Sequence, residues 1–237
     1  MRQRDRDTRL NLIFDADDTL WDSNIHFIEA EEAFAAAITE AGIAAEREQI
    51  GELVRRCEIE IIKTQGYGRA PYVAALHLAA ATLSELDEFR DRMRDEVERI
   101  GNRLRFRHCE LLPQVEPTVR ELANRHQLIL FTKGQRDEQM LKLERSGLKA
   151  FFSRVEIPAE KNTEAYLKLI ADAGIEPERS FMIGNSPRSD INPAVRAGLR
   201  AVYIPHPHTW VLEQEPLDCP LDRVIELGSF SRLLDVF

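Results

Sequence analysis

The stretch Leu10-Asn11-Leu12-Ile13-Phe14-Asp15-Ala16-Asp17-Asp18-Thr19-Leu20 joins a short apolar run to a knot of acids. Residues 10–14 carry no helical period and stop abruptly at charge, which predicts a fully buried strand with a polar carboxyl tip. From 110 onward the chain alternates. Helical patterns at 117–125, 137–146, 163–173 and 191–197 interleave with apolar runs at 128–131, 152–157, 181–183 and 201–204. Strands alternating with helices of this length predict an α/β fold with a parallel sheet covered on both faces. Residues 24–107 break that rhythm with four helical patterns, at 25–41, 46–63, 71–83 and 86–104. The block therefore reads as a helical domain inserted after the first strand. The expected division is a core of 1–22 with 110–237, and an insertion at 23–109.

Composition narrows the class. The hydrophobic share of 43% and charged share of 31% fit a water-soluble globular chain. A net charge of −9 argues against nonspecific binding to nucleic acid or an anionic membrane. Any phosphate chemistry must therefore draw on local positive charge. Cys57, Cys109 and Cys219 are odd in number and far apart, which favours reduced thiols over a disulfide framework or zinc site. The charged lead-in at 2–9 is expected to be solvated and partly disordered, and it introduces no signal-peptide core. No run reaches the ~20 apolar residues of a membrane span. A cytoplasmic enzyme is the expectation.

In an open parallel sheet ligands bind beyond the carboxyl ends of the strands, so those ends are read for chemistry. They are Asp15-Ala16-Asp17-Asp18-Thr19, then Thr132-Lys133-Gly134, then Lys161, then Gly184-Asn185-Ser186-Pro187-Arg188-Ser189-Asp190. Each tip alone carries little information. Acids, a hydroxyl, a lysine and a second acid on successive strands carry much more. Carboxylates crowded in this way repel unless a cation lies among them, and a sparse oxygen-lined site suits Mg²⁺.

These four tips resemble, in order, the four motifs of the haloacid dehalogenase-like (HAD) hydrolases. The resemblance spans Asp15 to Asp190, and the helical block falls where that family places a C1-type cap. It implies a Rossmann-like core in which Asp15 attacks phosphorus and forms an aspartyl-phosphate. Asp17 would protonate the leaving oxygen and later activate water. An acid at that position favours a phosphatase or phosphomutase over a dehalogenase, whose halide needs no proton. Thr132, with the amide of Lys133, would hold a phosphoryl oxygen, and Lys161 would neutralise charge. Mg²⁺ would be held by Asp15, the backbone carbonyl of Asp17, Asn185 and Asp190. A small phosphorylated metabolite is the implied partner.

Two departures stand out. The fourth motif opens Gly184-Asn185 where Gly-Asp is usual, which removes one negative charge. Lys133 and Lys161-Asn162-Thr163 also differ from the common pattern. Arg188 reads equally as a phosphate contact or an ion-pair partner. The loop at 63–69 falls where similar enzymes place substrate selectivity, so Arg69 or Lys63 is a candidate for a distal anionic group. An ordinary helix–helix turn is the equal alternative. His206-Pro207-His208 reads as loop rather than a metal pair, and Asp18 as a capping acid. A phosphatase, a phosphomutase and a catalytically weak binding module all remain open at this level.

Overall fold

Strands form where alternating side chains can be buried on both faces of a sheet. In β1, Asn11–Phe14, residues Leu12 and Phe14 enter one apolar cluster while Ile13 enters another. The same alternation holds in β2, Gln127–Phe131, and β4, Ser180–Gly184: Leu128, Leu130, Phe181 and Ile183 face one way, and Ile129, Phe131 and Met182 the other. With β3 (Arg154–Glu156), β5 (Arg200–Tyr203) and β6 (Val224–Glu226) they make a six-stranded sheet ordered β3-β2-β1-β4-β5-β6. All five pairings are parallel. This is the computed structural model of the chain, and it describes residues 9–106 and 110–237.

One face of the sheet is covered by the helices Val115–Arg125 and Arg136–Arg145, through Val115, Val119, Leu122 and Leu143. The other is covered by Thr163–Ala173 and the short helix Asn192–Arg196, through Tyr166, Leu169, Ala194 and Ala197 just beyond it. The fold is thus Rossmann-like α/β. Its strand order reverses direction at β1, with β2 on one side and β4 on the other, and that reversal opens a crevice at the carboxyl edge. The registers Phe14↔Leu130 and Phe14↔Ile183 bring Asp15, Thr132 and Asn185 to the same edge.

Several elements differ from the sequence expectation. The helix expected at 191–197 begins instead with a π-helical turn, Pro187–Ile191, in which Ile191 N–H reaches back to Ser186 O. Proline at 187 and 193 removes two donors from the regular ladder there. The strand β6 and the C-terminal 3₁₀ segment Phe230–Asp235 were not expected from the pattern, because three to six residues carry too little period. The expected lead-in at 2–9, apart from Arg9, lies outside the described residues, as do Arg107 and Cys109.

The chain divides into two compact units, Met1–Asn24 with Cys109–Phe237, and Ile25–His108. The second is helical: Asn24–Glu40, Arg47–Gln65, Arg69–Leu83 and Asp87–Phe106. It has its own core, which includes Phe34, Ile38, Ile50, Val54, Leu76, Met93 and Ile100. Between its second and third helices, Gly66 and Gly68 sit at φ +73° and +130°, conformations that side chains with a Cβ rarely adopt. Among the described residues no helix is long and apolar enough to cross a membrane.

Candidate active site

Asp15 follows the last residue of β1, and its backbone N–H bonds Ile183 O at 2.9 Å, which fixes it at the sheet edge. Its side chain is buried. Lys161 Nζ donates to Asp15 Oδ1 at 2.5 Å and also pairs with Asp190, and both partners are buried with it. Asp190 Oδ2 accepts the Ser186 N–H at 2.9 Å. Two carboxylates thus share one ammonium. Burial, followed by the negative charge of Asp190, pushes the Asp15 carboxyl up to about 7 despite Lys161. Burial likewise raises Asp190, while for Lys161 its two acid partners outweigh burial and raise it. The cluster is short of positive charge.

The Thr19 hydroxyl lies 3.1 Å from both Asp15 Oδ2 and Asn185 Oδ1, so it gathers the first and fourth strand ends. Thr132 is buried immediately after β2. Gly184 owes its place to this packing: an added Cβ would stand 2.2 Å from Asp190 Oδ2. Gly184→Ala is therefore expected to displace Asp190, cost about 1–3 kcal/mol and lower turnover more than about ten-fold. Thermal melts and initial rates measure both, and an unchanged melting temperature would show that Asp190 can move freely.

Asp17 is held differently. Its Oδ1 accepts from Trp21 Nε1 and Lys142 Nζ, each at 2.7 Å, and its Oδ2 accepts from Gln139 Nε2 at 2.7 Å. Burial favours protonation, but the Lys142 ammonium and these hydrogen bonds outweigh it and hold the carboxyl below its usual range. In this conformation Asp17 is a carboxylate, the form that accepts a proton. Sequence reading missed all three partners. Gln139 and Lys142 lie three residues apart, hence on one face of the helix after the second motif, and that spacing was the available signal.

Lys133 Nζ bonds Glu213 Oε1 at 2.5 Å and Ser189 Oγ at 3.1 Å, while Ser186 Oγ donates to Glu213 Oε2 at 2.6 Å. Glu213 is buried, yet Lys133 and these hydroxyls hold its carboxyl low against that burial. The Pro- and His-rich loop at 205–220 thus carries an acid into the centre. Arg188 donates to Leu212 O at 2.8 Å and lies 3.7 Å from Glu215, so its observed partners are on that same loop. Arg69 begins a helix of the other unit.

Asp18, at φ +59°, accepts the backbone N–H groups of Ser23 and Asn24 at 2.8 and 3.0 Å, and so performs a capping task. Asp18, Asp22 and His206 also bring potential ligand atoms within 4.8 Å of one another. The backbone bonds of Asp18 and the 3.3 Å contact of His206 with Asp22 account for that grouping without a cation.

A Rossmann-like sheet with a buried acid–lysine–acid centre at its carboxyl edge defines the class as an α/β enzyme core. Residues 11–198 match the family described as haloacid dehalogenase-like hydrolase, and the chain belongs to that family. It is similar to glyceraldehyde 3-phosphate phosphatase of Methanothermobacter thermautotrophicus, 27% identical with 81% of this chain and 84% of that protein covered. It also resembles human N-acylneuraminate-9-phosphatase, 27% identical over 55% of this chain and 56% of that one. A haloacid dehalogenase-like hydrolase from Xanthomonas campestris has the same fold at a TM-score of 0.80, 27% identical, with 97% and 90% of the two chains covered.

Proposed function

We propose that this hydrolase is a Mg²⁺-dependent phosphatase that cleaves a small-molecule phosphate monoester through an aspartyl-phosphate on Asp15. The observation that carries the reading is the pair of buried acids, Asp15 and Asp190, around the one ammonium of Lys161. The related chains, named as phosphatases of small phosphorylated metabolites, support the same reaction class.

The donor set fits the cation. Asp15, Asn185 and Asp190 offer oxygen, the ligand type that Mg²⁺ takes, and the burial and the nearby Asp190 that raise the Asp15 carboxyl support placing one more positive charge there. Asp15, the Asp17 backbone carbonyl and Asn185 would hold the ion, with the charge of Asp190 beside them. An Mg²⁺ ion held there would supply positive charge for the nucleophile and the phosphate oxygens.

The protein residues do the rest. An Asp15 oxygen attacks phosphorus, the phosphorus–ester oxygen bond breaks, and the leaving oxygen takes a proton from Asp17. The Asp17 carboxylate then takes a proton from water, which attacks phosphorus and releases phosphate and Asp15. Protonated Asp17 requires its contact with Lys142 to loosen for the first step, whereas the clamped carboxylate suits the second. Thr132 and the Lys133 amide hold the phosphoryl oxygens, since the Lys133 ammonium is engaged by Glu213. The helical insertion serves as a C1-type cap, with Arg69 and its loop contributing selectivity, while Arg188 is engaged by the 205–220 loop.

Turnover of an aryl phosphate, with Mg²⁺ and with chelator, tests this. Mg²⁺-dependent phosphate release is the expected result. Undiminished turnover in chelator, or no release from a panel of phosphate monoesters, would reject it.

A further inference from the structure

An asparagine in a place where the family pattern has aspartate raises a problem of orientation. The two ends of its amide are nearly equal in size and opposite in chemistry: one accepts, the other donates. Only the oxygen end can meet a cation. In this chain the amide meets a residue 24 positions away. Asn185 Nδ2 donates to Thr209 Oγ1 at 2.8 Å, and both residues are buried. Thr209 Oγ1 itself donates to His206 O at 2.9 Å. Its single proton is therefore committed, and toward Asn185 it can only accept. An amide oxygen turned that way would face a lone pair, so the nitrogen must take that side. Asn185 Oδ1 is left facing Thr19 Oγ1 at 3.1 Å, the same hydroxyl that lies 3.1 Å from Asp15 Oδ2.

The hydroxyl's own position is fixed independently of Asn185. Thr209 N–H bonds His206 O at 3.1 Å, Gln214 Nε2 donates to Thr209 O at 2.7 Å, and Asn24 Nδ2 donates to His208 O at 2.7 Å. The loop thus presents a prearranged acceptor to the amide.

We propose that Thr209 is a positioning residue that sets the Asn185 amide with its oxygen toward the Thr19 hydroxyl that Asp15 shares, and so makes an asparagine serviceable as a cation ligand. The inference rests on reading these strand ends as the Mg²⁺ site. It has a consequence that ordinary structural support would lack. A carboxylate at 185 has two equivalent oxygens and needs no orienting partner, so the contribution of Thr209 to metal affinity should vanish in an Asn185→Asp background.

The test is Mg²⁺ titration by calorimetry on the full chain, for Thr209→Val, Thr209→Ala and Thr209→Ser in the Asn185 and Asn185→Asp backgrounds. With Asn185, Thr209→Val and Thr209→Ala are expected to weaken Mg²⁺ binding about ten-fold or more, the scale found for partners that orient metal ligands. Thr209→Ser, which keeps the acceptor and its proton, should bind within about two-fold of wild type. With Asn185→Asp, removing the hydroxyl should change affinity less than about two-fold. Equal weakening in both backgrounds, or none in either, overturns the proposal while leaving the magnesium site intact. Wild type that binds no Mg²⁺ overturns both. Should Thr209→Val fold poorly, the smaller Thr209→Ala and the conservative Thr209→Ser decide the matter alone.

Discussion

Asp15→Asn is expected to abolish hydrolysis, by at least about 10⁴-fold, and at the same time to make the metal-free protein more stable at pH 8. The first effect follows because a neutral amide is not a competent nucleophile at phosphorus. The second follows from the cost of the charge it replaces. Burial, then Asp190, raises the Asp15 carboxyl from 3.8 to about 7. For a raised acid the folded state binds the proton more tightly than the unfolded state does. Its stability contribution is complete below the unfolded value near 3.8 and is lost as pH climbs toward 7. Asparagine has no such slope. The variant's advantage should therefore be small near pH 4 and full by pH 8, on the order of 1–2 kcal/mol or about 3–6 °C in Tm. The modest figure allows for the charge-assisted bond from Lys161 that the amide weakens. Melts in chelator at the two pH values, beside initial rates with Mg²⁺, measure both effects. A variant less stable than wild type at pH 8 would mean that Lys161 alone balances Asp15.

How far the sequence carried the reading depends on how local each signal is. The strand ending at Phe14 was legible because charge stops an apolar run at a single residue. The helix Thr163–Ala173 was legible to its bounds, since Asn162 caps one end through the Ala165 N–H and Gly174, at φ +61°, closes the other. The order of motif residues along the chain pointed to one edge of the sheet, and parallel register puts Asp15, Thr132 and Asn185 there. What was not legible depends on contacts between distant segments. Thr209 reaches Asn185, and Glu213 reaches Ser186 and Lys133, from a loop with no period of its own. Lys142 is not singled out by any motif, and only folding shows it against Asp17. The requirement for glycine at 184 is likewise a three-dimensional fact, set by the approach of Asp190.

Lys161→Met should do the reverse of Asp15→Asn in stability while also suppressing activity. It removes the ammonium shared by Asp15 and Asp190 and leaves two buried acids facing each other. Breaking a buried pair by deleting one partner costs about 3–5 kcal/mol, because the remaining charge is left uncompensated, and here two such charges remain. A fall in Tm of about 10 °C or more at pH 8 is the expected result. Turnover should drop by about 10³-fold, the scale for losing a preorganised electrostatic contact to developing charge. The stability loss should shrink as pH falls toward 4, where both buried acids take up protons in the folded state and no longer repel each other. Mg²⁺ should restore part of the lost Tm at pH 8, since a cation bound between the same acids replaces some of the missing charge. Melting curves at pH 4 and 8, with Mg²⁺ and with chelator, separate these effects. A uniform loss at every pH, untouched by Mg²⁺, would show that the lysine acts through packing of its methylenes rather than through its charge. Taken with Asp15→Asn, the two substitutions change the charge of one cluster in opposite directions. Opposite shifts in stability, with turnover lost in both variants, are what a site organised around a charge deficit requires.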